Sequence, residues 1–408
     1  MKVVRLTLRQ FRNVEESVLV PHPHLNFLVG RNGQGKTSFL EALGYLATLR
    51  SFRGAKSDEV IRWGAQTTEV HAEVSPDSVE TGEADLSWKS DLKLVFVQEG
   101  ERTSKTAFIN GKPFRSSTQY LSQRFGSVEL GFHAIIFNPA DHDLVRGEPS
   151  IRRSYLDRVI AAEEMDYLKA LSKYQRLLEQ RNALLKADQP PTKALLQGFT
   201  EPLVQQAAWL VRKRLEWLFG ASEHLNPIAQ RIAPGQPDLK AFYLSNWVPE
   251  IYGLSIVNNH LSEAHFSGHP VLPSLEILEQ AFWKKQLALA DAEIRARSTL
   301  VGPHRDDWGF VLGRQQLKGH GSQGEVRSAL LALKLSEIEM FRRKTGHRPI
   351  LLLDDFSSEL DRQRRSFLLS YLSKTDLQVF VTTTETSFET SETFNRFEVQ
   401  DGKISEVL

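Results

Sequence analysis

Residues 28–43 read LVGRNGQGKTSFLEAL, and this stretch decides the fold. Its residues Gly30-Arg31-Asn32-Gly33-Gln34-Gly35-Lys36-Thr37 match the phosphate-loop pattern G-x-x-x-x-G-K-[ST]. The apolar run Leu25–Val29 precedes the loop as a buried strand, and apolar residues at helical spacing follow from Thr37 to Leu49. A strand, a glycine-rich turn and a helix in this order predict a nucleotide site rather than a chance turn.

The residue types of the loop suit a triphosphate carried with Mg²⁺. Glycines let backbone N–H groups face phosphate oxygens, and the following helix presents the positive end of its dipole. Lys36 is expected to neutralise the β- and γ-phosphates, which makes it a catalytic residue, and Thr37 to ligate the metal. The predicted ATP-binding residues of this segment are Gly30, Arg31, Asn32, Gly33, Gln34, Gly35, Lys36, Thr37 and Ser38.

Two adjacent carboxylates, Asp354 and Asp355, follow the apolar run Ile350–Leu353. Ligands of open α/β sheets bind at the carboxyl ends of the strands, so we expect both aspartates at the nucleotide site. Asp354 is predicted to hold the Mg²⁺ shell and Asp355 to orient the attacking water as a catalytic residue. A strand that simply ends in solvated acids is the alternative, and the phosphate loop favours the metal site.

A second glycine-rich segment, Gly321-Ser322-Gln323-Gly324-Glu325, precedes an apolar helix. Ser322 and Gly324 either form another anion site for ATP or only cap the helix, and the spacing leaves both open. An anion site there needs a second phosphate, which two copies sandwiching ATP would supply. A hydrolase nucleophile elbow is excluded because His320 stands where that motif needs glycine.

Composition limits the classes of protein that fit. The 408 residues, 41% hydrophobic and 25% charged, predict a folded chain of two or three domains or one large interrupted one. A net charge of +1 leaves only local patches for nucleic acid. Zero cysteines exclude disulfides and thiolate metal sites and fit a reducing compartment, so we expect a cytoplasmic protein. No apolar run approaches the roughly 20 residues that cross a membrane.

The pattern along the chain predicts an α/β fold with an antiparallel β subdomain and an inserted helical arm. Strand patterns fill residues 1–29 and 69–114, helical patterns begin near Pro149, and strand-helix alternation returns after Thr299. We expect the two α/β ends of the chain to form one unit, the head. The predicted segments are an N-terminal part of the head (1–148), a helical insertion (149–298) and a C-terminal part of the head (299–408). The predicted elements include strand Ala84–Lys89, one helical stretch over 149–186, a helix over Leu203–Ile228, and an irregular region with Gly235, Pro237 and a turn at Gly253.

The order of motifs resembles the ABC-type ATPase heads of chromosome-maintenance and DNA-repair proteins, and most closely the RecF family of bacterial recombination mediators. The resemblance covers nearly the whole chain. It rests on the Gly30 loop with Leu40-Glu41-Ala42-Leu43, Arg50-Ser51-Phe52-Arg53, Asn138-Pro139, Asp141, Arg152-Arg153, Leu156-Asp157, Gly302-Pro303-His304-Arg305-Asp306-Asp307, Ser322-Gln323-Gly324, and Leu351–Asp355 continuing into Ser358-Glu359-Leu360-Asp361.

This resemblance implies a P-loop ABC-type ATPase head that forms an ATP-dependent homodimer. It implies binding to gapped DNA at junctions of single and double strands, loading of recombinase with the mediator proteins RecR and RecO, and roles in DNA repair, replication and the SOS response. Ser322 and Gly324 would then contact the γ-phosphate held by the opposite subunit, and Ser358 to Asp361 would cross the interface.

The resemblance also implies individual roles, with two departures from the family pattern. Asp354 takes the place of the metal-shell carboxylate, and Asp355 stands where many relatives place a catalytic glutamate. Glu325 replaces the usual glutamine, and Thr384 follows the last strand where many transporters carry a switch histidine. These departures lead to the hypothesis of a weak, DNA-stimulated ATPase that works as a switch.

Several charged residues keep two interpretations. Arg50 and Arg53 either reach phosphate or DNA, or stabilise a helix C-terminus. Arg152 and Arg153 begin a helix, which is electrostatically unfavourable and indicates an anionic contact. The cluster of His304, Asp306 and Asp307 is a candidate metal site, although a polar entry to a strand is the favoured interpretation.

Other functions with the same motifs fit less well. A P-loop phosphotransferase acting on a small molecule is the main alternative, but it needs an acceptor lid and leaves Ser322-Gln323-Gly324 without a role. A structural coiled-coil protein needs an arm of hundreds of residues. A transporter subunit shares the ATP motifs but not the arm.

Overall fold

The computed structural model describes residues 1–75, 89–123, 132–189, 191–248, 256–257, 260–261, 272–355, 361–385 and 394–407. The predicted strand Ala84–Lys89, apart from its last residue, lies outside these ranges. The predicted turn at Gly253 and the segment from Ser358 to Leu360 also lie outside the described residues.

The strands are β1 Lys2–Phe11, β2 Val14–Leu19, β3 Leu25–Val29, β4 Thr67–Ser75, β5 Ser90–Glu99, β6 Arg102–Ile109, β7 Lys112–Phe114, β8 Ala134–Phe137, β9 Leu239–Leu244, β10 Ile256–Val257, β11 His260–Leu261, β12 Asp307–Leu312, β13 Gln315–Gln316, β14 Ile350–Leu353, β15 Val379–Thr383, β16 Phe394–Gln400 and β17 Lys403–Val407. The helices are α1 Lys36–Thr48, α2 Ser117–Ser122, α3 Asp143–Arg146, α4 Pro149–Glu163, α5 Met165–Lys186, α6 Lys193–Ile232, α7 Leu275–Ala296, α8 Leu317–His320, α9 Gln323–Thr345 and α10 Arg362–Leu372.

The chain folds into two compact units, one of residues 1–141 with 337–408 and the other of residues 142–336. The second limit differs from the predicted one at 298/299. The reason is that β12 pairs antiparallel with β9 along its whole length, from Asp307 opposite Leu244 to Leu312 opposite Leu239. Residues 299–336 therefore belong to the unit that contains the helices, and the first unit resumes at residue 337.

The first unit holds a six-stranded sheet in the order β17-β16-β3-β15-β14-β8. Its five strands from β16 to β8 are parallel, and β17 closes the sheet as an antiparallel hairpin across Asp401-Gly402. Every residue of β3, β8, β14 and β15 is buried, as is typical of parallel strands covered on both faces. This confirms the partly parallel sheet and brings the carboxyl ends of β3, β14 and β15 side by side.

A second sheet of this unit, in the order β2-β1-β4-β5-β6-β7, is antiparallel throughout. Buried and less buried residues alternate along β4, where Val70, Ala72 and Val74 face the core. The turn at Asn110-Gly111 has φ of 49° and 77°, as a tight hairpin requires. The predicted antiparallel subdomain is therefore confirmed.

The second unit combines the long helices α4 to α7 with a five-stranded sheet in the order β10-β11-β13-β12-β9. The predicted helical stretch over 149–186 is two helices, because Glu164 adopts an extended conformation between them. The predicted helix Leu203–Ile228 is longer, with 40 residues and both Pro202 and Pro227 inside it. The predicted irregular region contains strand β9. Within the described ranges, no helix combines the length and the apolar character that crossing a membrane requires.

A buried ion pair joins three helices of this unit. The side chains of Arg181 in α5 and Glu293 in α7 are each 1% exposed. Arg181 Nη2 lies 2.6 Å from Glu293 Oε2. The same guanidinium donates to Thr200 Oγ1 of α6 at 2.9 Å and to Thr299 Oγ1 at 2.8 Å. Buried charges need partners of this kind, so Arg181 holds the helices in register.

Candidate nucleotide site

The glycine-rich loop lies between β3 and α1, at the carboxyl edge of the parallel sheet. Gly33 and Gly35 have φ of 82° and 105°, which favours glycine. A Cβ on Gly30 would lie 2.3 Å from the carbonyl oxygen of Val399, and one on Gly35 would lie 2.6 Å from the Asn13 amide. The loop is therefore shaped for residues without side chains.

Two other loop residues contact the protein itself. The Gln34 side-chain oxygen accepts from the N–H of Asp401 at 2.7 Å, and its carbonyl oxygen accepts from the N–H of Gly402 at 2.9 Å. The Ser38 hydroxyl donates to the Asn13 side-chain oxygen at 3.0 Å. For Gln34, the side chain thus anchors the loop, and its predicted role toward ATP falls to the backbone.

Lys36 folds back over the loop that precedes it. Its Nζ donates to the carbonyl oxygens of Gly30 at 2.6 Å and Arg31 at 2.9 Å. Burial lowers the pKa of Lys36, and the negative charges of Asp355 and Asp354 oppose that shift. The ammonium therefore lies among the backbone groups that a phosphate would approach.

Asp354 shares one carboxylate oxygen between two hydroxyls. Thr37 Oγ1 donates to Asp354 Oδ1 at 2.9 Å, and Thr382 Oγ1 donates to the same atom at 2.7 Å. Burial raises the pKa of Asp354, and the two hydrogen bonds oppose the shift. A hydroxyl and a carboxylate brought together from α1 and the end of β14 are the hard oxygen ligands that Mg²⁺ prefers, so these residues fit the predicted metal.

Asp355 continues from β14 in an unusual conformation. Its φ of 53° lies in the left-handed region, which is strained for a residue with a side chain. Its N–H donates to Thr382 Oγ1 at 2.8 Å and so holds the turn. Thr382 thus supports both aspartates. This role of Thr382 was not predicted, although the run Thr382-Thr383-Thr384 at the end of an apolar strand was a visible signal.

The loop and both aspartates line one open cleft of about 1560 Å³ in the first unit. Small-molecule pockets are typically about 300–1000 Å³, so the cleft has room for a nucleotide. Lys36, Thr37, Asp354, Asp355 and Thr382 are among its lining residues.

A buried carboxylate on α1 binds two arginines of the same cleft. Glu41 has no exposed surface, and Arg12 contacts it through two nitrogens at 2.9 and 2.7 Å. Arg53 Nη1 lies 3.6 Å from Glu41 Oε2, and the Ser51 hydroxyl donates to Glu41 Oε1 at 2.5 Å. Arg12 and Arg53 both line the cleft, so Arg53 stands near the nucleotide site rather than only at a helix end. This role of Glu41 was not predicted from the sequence.

The segment Ser322–Glu325 lies in the second unit and forms a capping box. The Ser322 N–H donates to Glu325 Oε2 at 2.7 Å, and the Glu325 N–H donates to Ser322 Oγ at 3.3 Å. The structure therefore contains the helix cap that one interpretation of Ser322 predicts, and Glu325 is its second member. Ser322 is exposed, and contact of Ser322 and Gly324 with a second phosphate stays a prediction.

The two arginines at the start of α4 have intramolecular partners. Arg152 is 2% exposed and binds both carboxylate oxygens of Asp307, at 2.7 and 2.8 Å. Arg153 donates to the carbonyl oxygen of Asp306 at 2.8 Å. The predicted anionic contact is thus made by Arg152 within the unit, and the Asp307 carboxylate compensates its positive charge at the helix N-terminus.

His304, Asp306 and Asp307 do not converge on a metal. The His304 ring contacts the Tyr174 hydroxyl at 2.6 Å and the Thr299 carbonyl oxygen at 3.1 Å, while Asp306 Oδ2 accepts from Tyr243 at 2.8 Å. Across the described part of the chain, no three His, Asp or Glu residues group as metal ligands do. Because β12 begins at Asp307, the strand-entry interpretation fits.

The buried Asp306 predicts a pH-dependent stability. Burial raises its pKa to about 7, above the ordinary value of 3.8, so the folded chain favours the protonated carboxyl. Protonation of this carboxyl therefore stabilises the folded chain relative to the unfolded one. This added stability is fully present below about pH 4 and is lost as the pH rises through 7. We expect urea unfolding to show that the wild type loses stability relative to Asp306→Asn over this range. The exposed change Asp291→Asn is the control, and its difference in unfolding free energy from the wild type is expected to stay constant with pH. A difference for Asp306→Asn that also stayed constant would contradict the prediction.

Fold and site together define an ABC-type ATPase head with a P-loop and an SMC-like arrangement of motifs. The family model described as "RecF/RecN/SMC N terminal domain" matches residues 2–406. Relatives named "DNA replication and repair protein RecF" include one from Geotalea daltonii, 32% identical over 99% of this chain and 100% of its own length. Another relative with this name, from Geobacter metallireducens, is 35% identical over 95% of this chain and 94% of its own length. The chain therefore belongs to the RecF/RecN/SMC family and, within it, to the RecF proteins.

Solved structures agree with this assignment. One described as the recombination mediator protein "RecF-ATPrS in RecFOR pathway" superposes with a TM-score of 0.81 at 27% identity, over 100% of this chain and 98% of that one. The corresponding "RecF-ATP" structure gives a TM-score of 0.79 at 28% identity over the same shares.

Proposed function

We propose that the chain is an ATP-switched DNA-binding protein of recombinational repair and replication, active in the cytoplasm. Two copies would enclose ATP, bind gapped DNA at junctions of single and double strands, and help load recombinase with RecR and RecO. Slow, DNA-stimulated hydrolysis would then separate the copies.

One observation carries the nucleotide part of this proposal. Thr37 and Asp354 meet at 2.9 Å beside the buried ammonium of Lys36, although 317 positions separate them in the chain. Positioning phosphate and metal in this way is most of what an enzyme contributes to phosphoryl transfer. Asp355, held beside Asp354, supplies the carboxylate that would orient the attacking water.

The proposed dimer depends on Ser322 and Gly324, which lie outside the lining of the nucleotide cleft. The lining of the described cleft does not include Ser322 or Gly324. The exposed capping box nevertheless has the serine and the helix N-terminus that bind anions in other proteins. A γ-phosphate held by a second copy would give these groups their ligand.

The names of the relatives support the proposed role in DNA repair and replication. Proteins called DNA replication and repair protein RecF match essentially the full length of this chain. The net charge of +1 means that DNA contacts would come from a local basic surface. Such contacts would make the affinity fall steeply with salt.

Ser322→Arg is expected to abolish ATP-dependent dimerisation and ATP-dependent binding to gapped DNA, while ATP binding is retained. The longer, charged side chain would occupy the place of the second phosphate contact. Sedimentation with and without ATP measures the first effect, and anisotropy of a labelled gapped duplex at two salt concentrations measures the second.

Ser274→Arg is the matched control, because Ser274 also caps a helix through its hydroxyl, accepting from the N–H of Ile277 at 3.2 Å. We expect this control to dimerise and to bind DNA like the wild type. A Ser322→Arg variant that still dimerises with ATP would remove the shared nucleotide site.

A further inference from the structure

Thr382 is a buried hydroxyl residue at the carboxyl end of the parallel sheet. It belongs to β15, whose residues are all buried, and its own exposed fraction is 1%. The register of β15 with β14 pairs Val381 with Leu353, so Thr382 lies directly beside Asp354. A hydroxyl that is removed from water needs hydrogen-bond partners within the protein. The partners of this hydroxyl therefore indicate its role.

The hydroxyl of Thr382 joins two consecutive aspartates. It donates its single proton to Asp354 Oδ1 at 2.7 Å, and it accepts from the N–H of Asp355 at 2.8 Å. A hydroxyl has one proton and two lone pairs, so donation to the carboxylate turns the lone pairs toward donors such as this N–H. The same oxygen atom thus contacts the predicted metal-shell carboxylate and the backbone of the residue expected to orient the attacking water.

The contact with Asp355 holds a backbone conformation that is unfavourable for a residue with a side chain. The φ of Asp355 is 53°, and conformations of this kind persist only where the surrounding structure holds them. The direction of the Asp355 side chain follows from this backbone conformation, because the same Cα carries both. Loss of the acceptor on Thr382 would therefore allow the Asp355 carboxylate to change direction.

We propose that Thr382 is a positioning residue for ATP hydrolysis, because its hydroxyl fixes the direction of the Asp355 carboxylate relative to Asp354. This inference rests on the proposed nucleotide function and adds a residue that acts through the two aspartates. The phosphates are assigned to the glycine-rich loop and Lys36, so Thr382 is expected to affect the hydrolysis step more than ATP binding. A misplacement of about 1 Å at a reacting centre can lower a rate about 100-fold.

Thr382→Val, which replaces the hydroxyl by a methyl group of similar size, tests this role. It is expected to lower the single-turnover rate of MgATP hydrolysis about 30-fold and to change the MgATP affinity less than about 3-fold. Thr382→Ser keeps the hydroxyl and is expected to hydrolyse ATP within about 3-fold of the wild-type rate. Release of inorganic phosphate gives the rates, and calorimetry gives the affinities.

A second measurement needs no nucleotide. Because the Asp355 N–H loses its acceptor in Thr382→Val, its exchange with deuterium in the nucleotide-free protein is expected to accelerate about 10-fold. Thr382→Ser is expected to keep the wild-type exchange rate. Mass spectrometry with fragmentation to single residues measures this exchange, which depends on the position of the Asp355 backbone and not on ATP.

Thr68→Val is the matched control, because it also removes a buried hydroxyl from a strand of the same unit. Thr68 is 1% exposed, and its Oγ1 donates to the Arg9 carbonyl oxygen at 2.9 Å. It is not among the lining residues of the described cleft. We expect Thr68→Val to hydrolyse ATP and to exchange the Asp355 N–H like the wild type. Equal losses in Thr68→Val and Thr382→Val would overturn the proposal.

Lys36→Ala separates failure of this inference from failure of the nucleotide site. Wild-type hydrolysis by Thr382→Val, together with loss in Lys36→Ala, would overturn the role of Thr382 and leave the proposed function intact. Parallel losses of MgATP affinity and hydrolysis in Thr382→Val, or unchanged exchange of the Asp355 N–H, would overturn that role as well. Wild-type hydrolysis by Lys36→Ala would overturn the proposed function and this inference with it.

Discussion

Lys36→Ala is expected to abolish measurable ATP binding and to lower ATP hydrolysis more than about 100-fold. The Lys36 ammonium donates to the Gly30 and Arg31 carbonyl oxygens and so lies inside the loop, close to where phosphate oxygens would bind. Removing it leaves the phosphate charge without its nearest cation. Calorimetry with MgATP and release of inorganic phosphate measure the two effects.

Lys105→Ala is the matched control for this loss. Lys105 lies in the same unit, burial also lowers its pKa, and its Nζ donates to the carbonyl oxygen of Leu49 at 2.7 Å. It is not among the residues that line the described cleft. We expect Lys105→Ala to bind ATP normally, so hydrolysis at the wild-type rate by Lys36→Ala would rule out the P-loop assignment.

Arg181→Ala is expected to destabilise the second unit by about 3–5 kcal/mol. The substitution leaves the Glu293 carboxylate buried without its cation and removes donors to Thr200 and Thr299. An uncompensated buried charge is the most unfavourable part of this change. Urea unfolding monitored by tryptophan fluorescence and by circular dichroism measures the loss.

Two further variants separate charge from packing. Replacing both partners, as Arg181→Met with Glu293→Leu, is expected to recover much of the stability because no buried charge is left unpaired. Arg176→Ala, an exposed change on the same helix, is expected to alter stability by less than about 0.5 kcal/mol. If Arg181→Ala unfolded at the same urea concentration as Arg176→Ala, the buried pair would have no stabilising role.

The parts of the fold predicted correctly depend on short-range patterns. The phosphate loop, the buried strand before it and the paired aspartates after Ile350–Leu353 each occupy a few consecutive residues. The chemistry predicted for these residues depends on their spacing alone. Likewise, Asn110-Gly111 specifies a hairpin because both residues tolerate positive φ.

The parts that were missed depend on partners far away in the chain. Strand β9 forms because β12 pairs with it, through residues 63 to 73 positions later in the chain, and no local pattern in Leu239–Leu244 reveals that partner. Thr382 reaches Asp354 only after the sheet brings β15 beside β14. Arg152 finds Asp307 in the same way, across 155 positions. Side-chain partnerships of this range are invisible to periodicity.

The anchoring of Gln34 to the hairpin of β16 and β17 has a consequence for biosynthesis. The hydrogen bond between the Gln34 side chain and the Asp401 N–H joins residues 367 positions apart, and β3 itself lies between β15 and β16. A nascent polypeptide emerging from the ribosome therefore exposes the glycine-rich loop long before the strands that shape it exist. We therefore expect the proposed nucleotide binding to require residues 379–402, so that a chain terminated before them does not hold ATP.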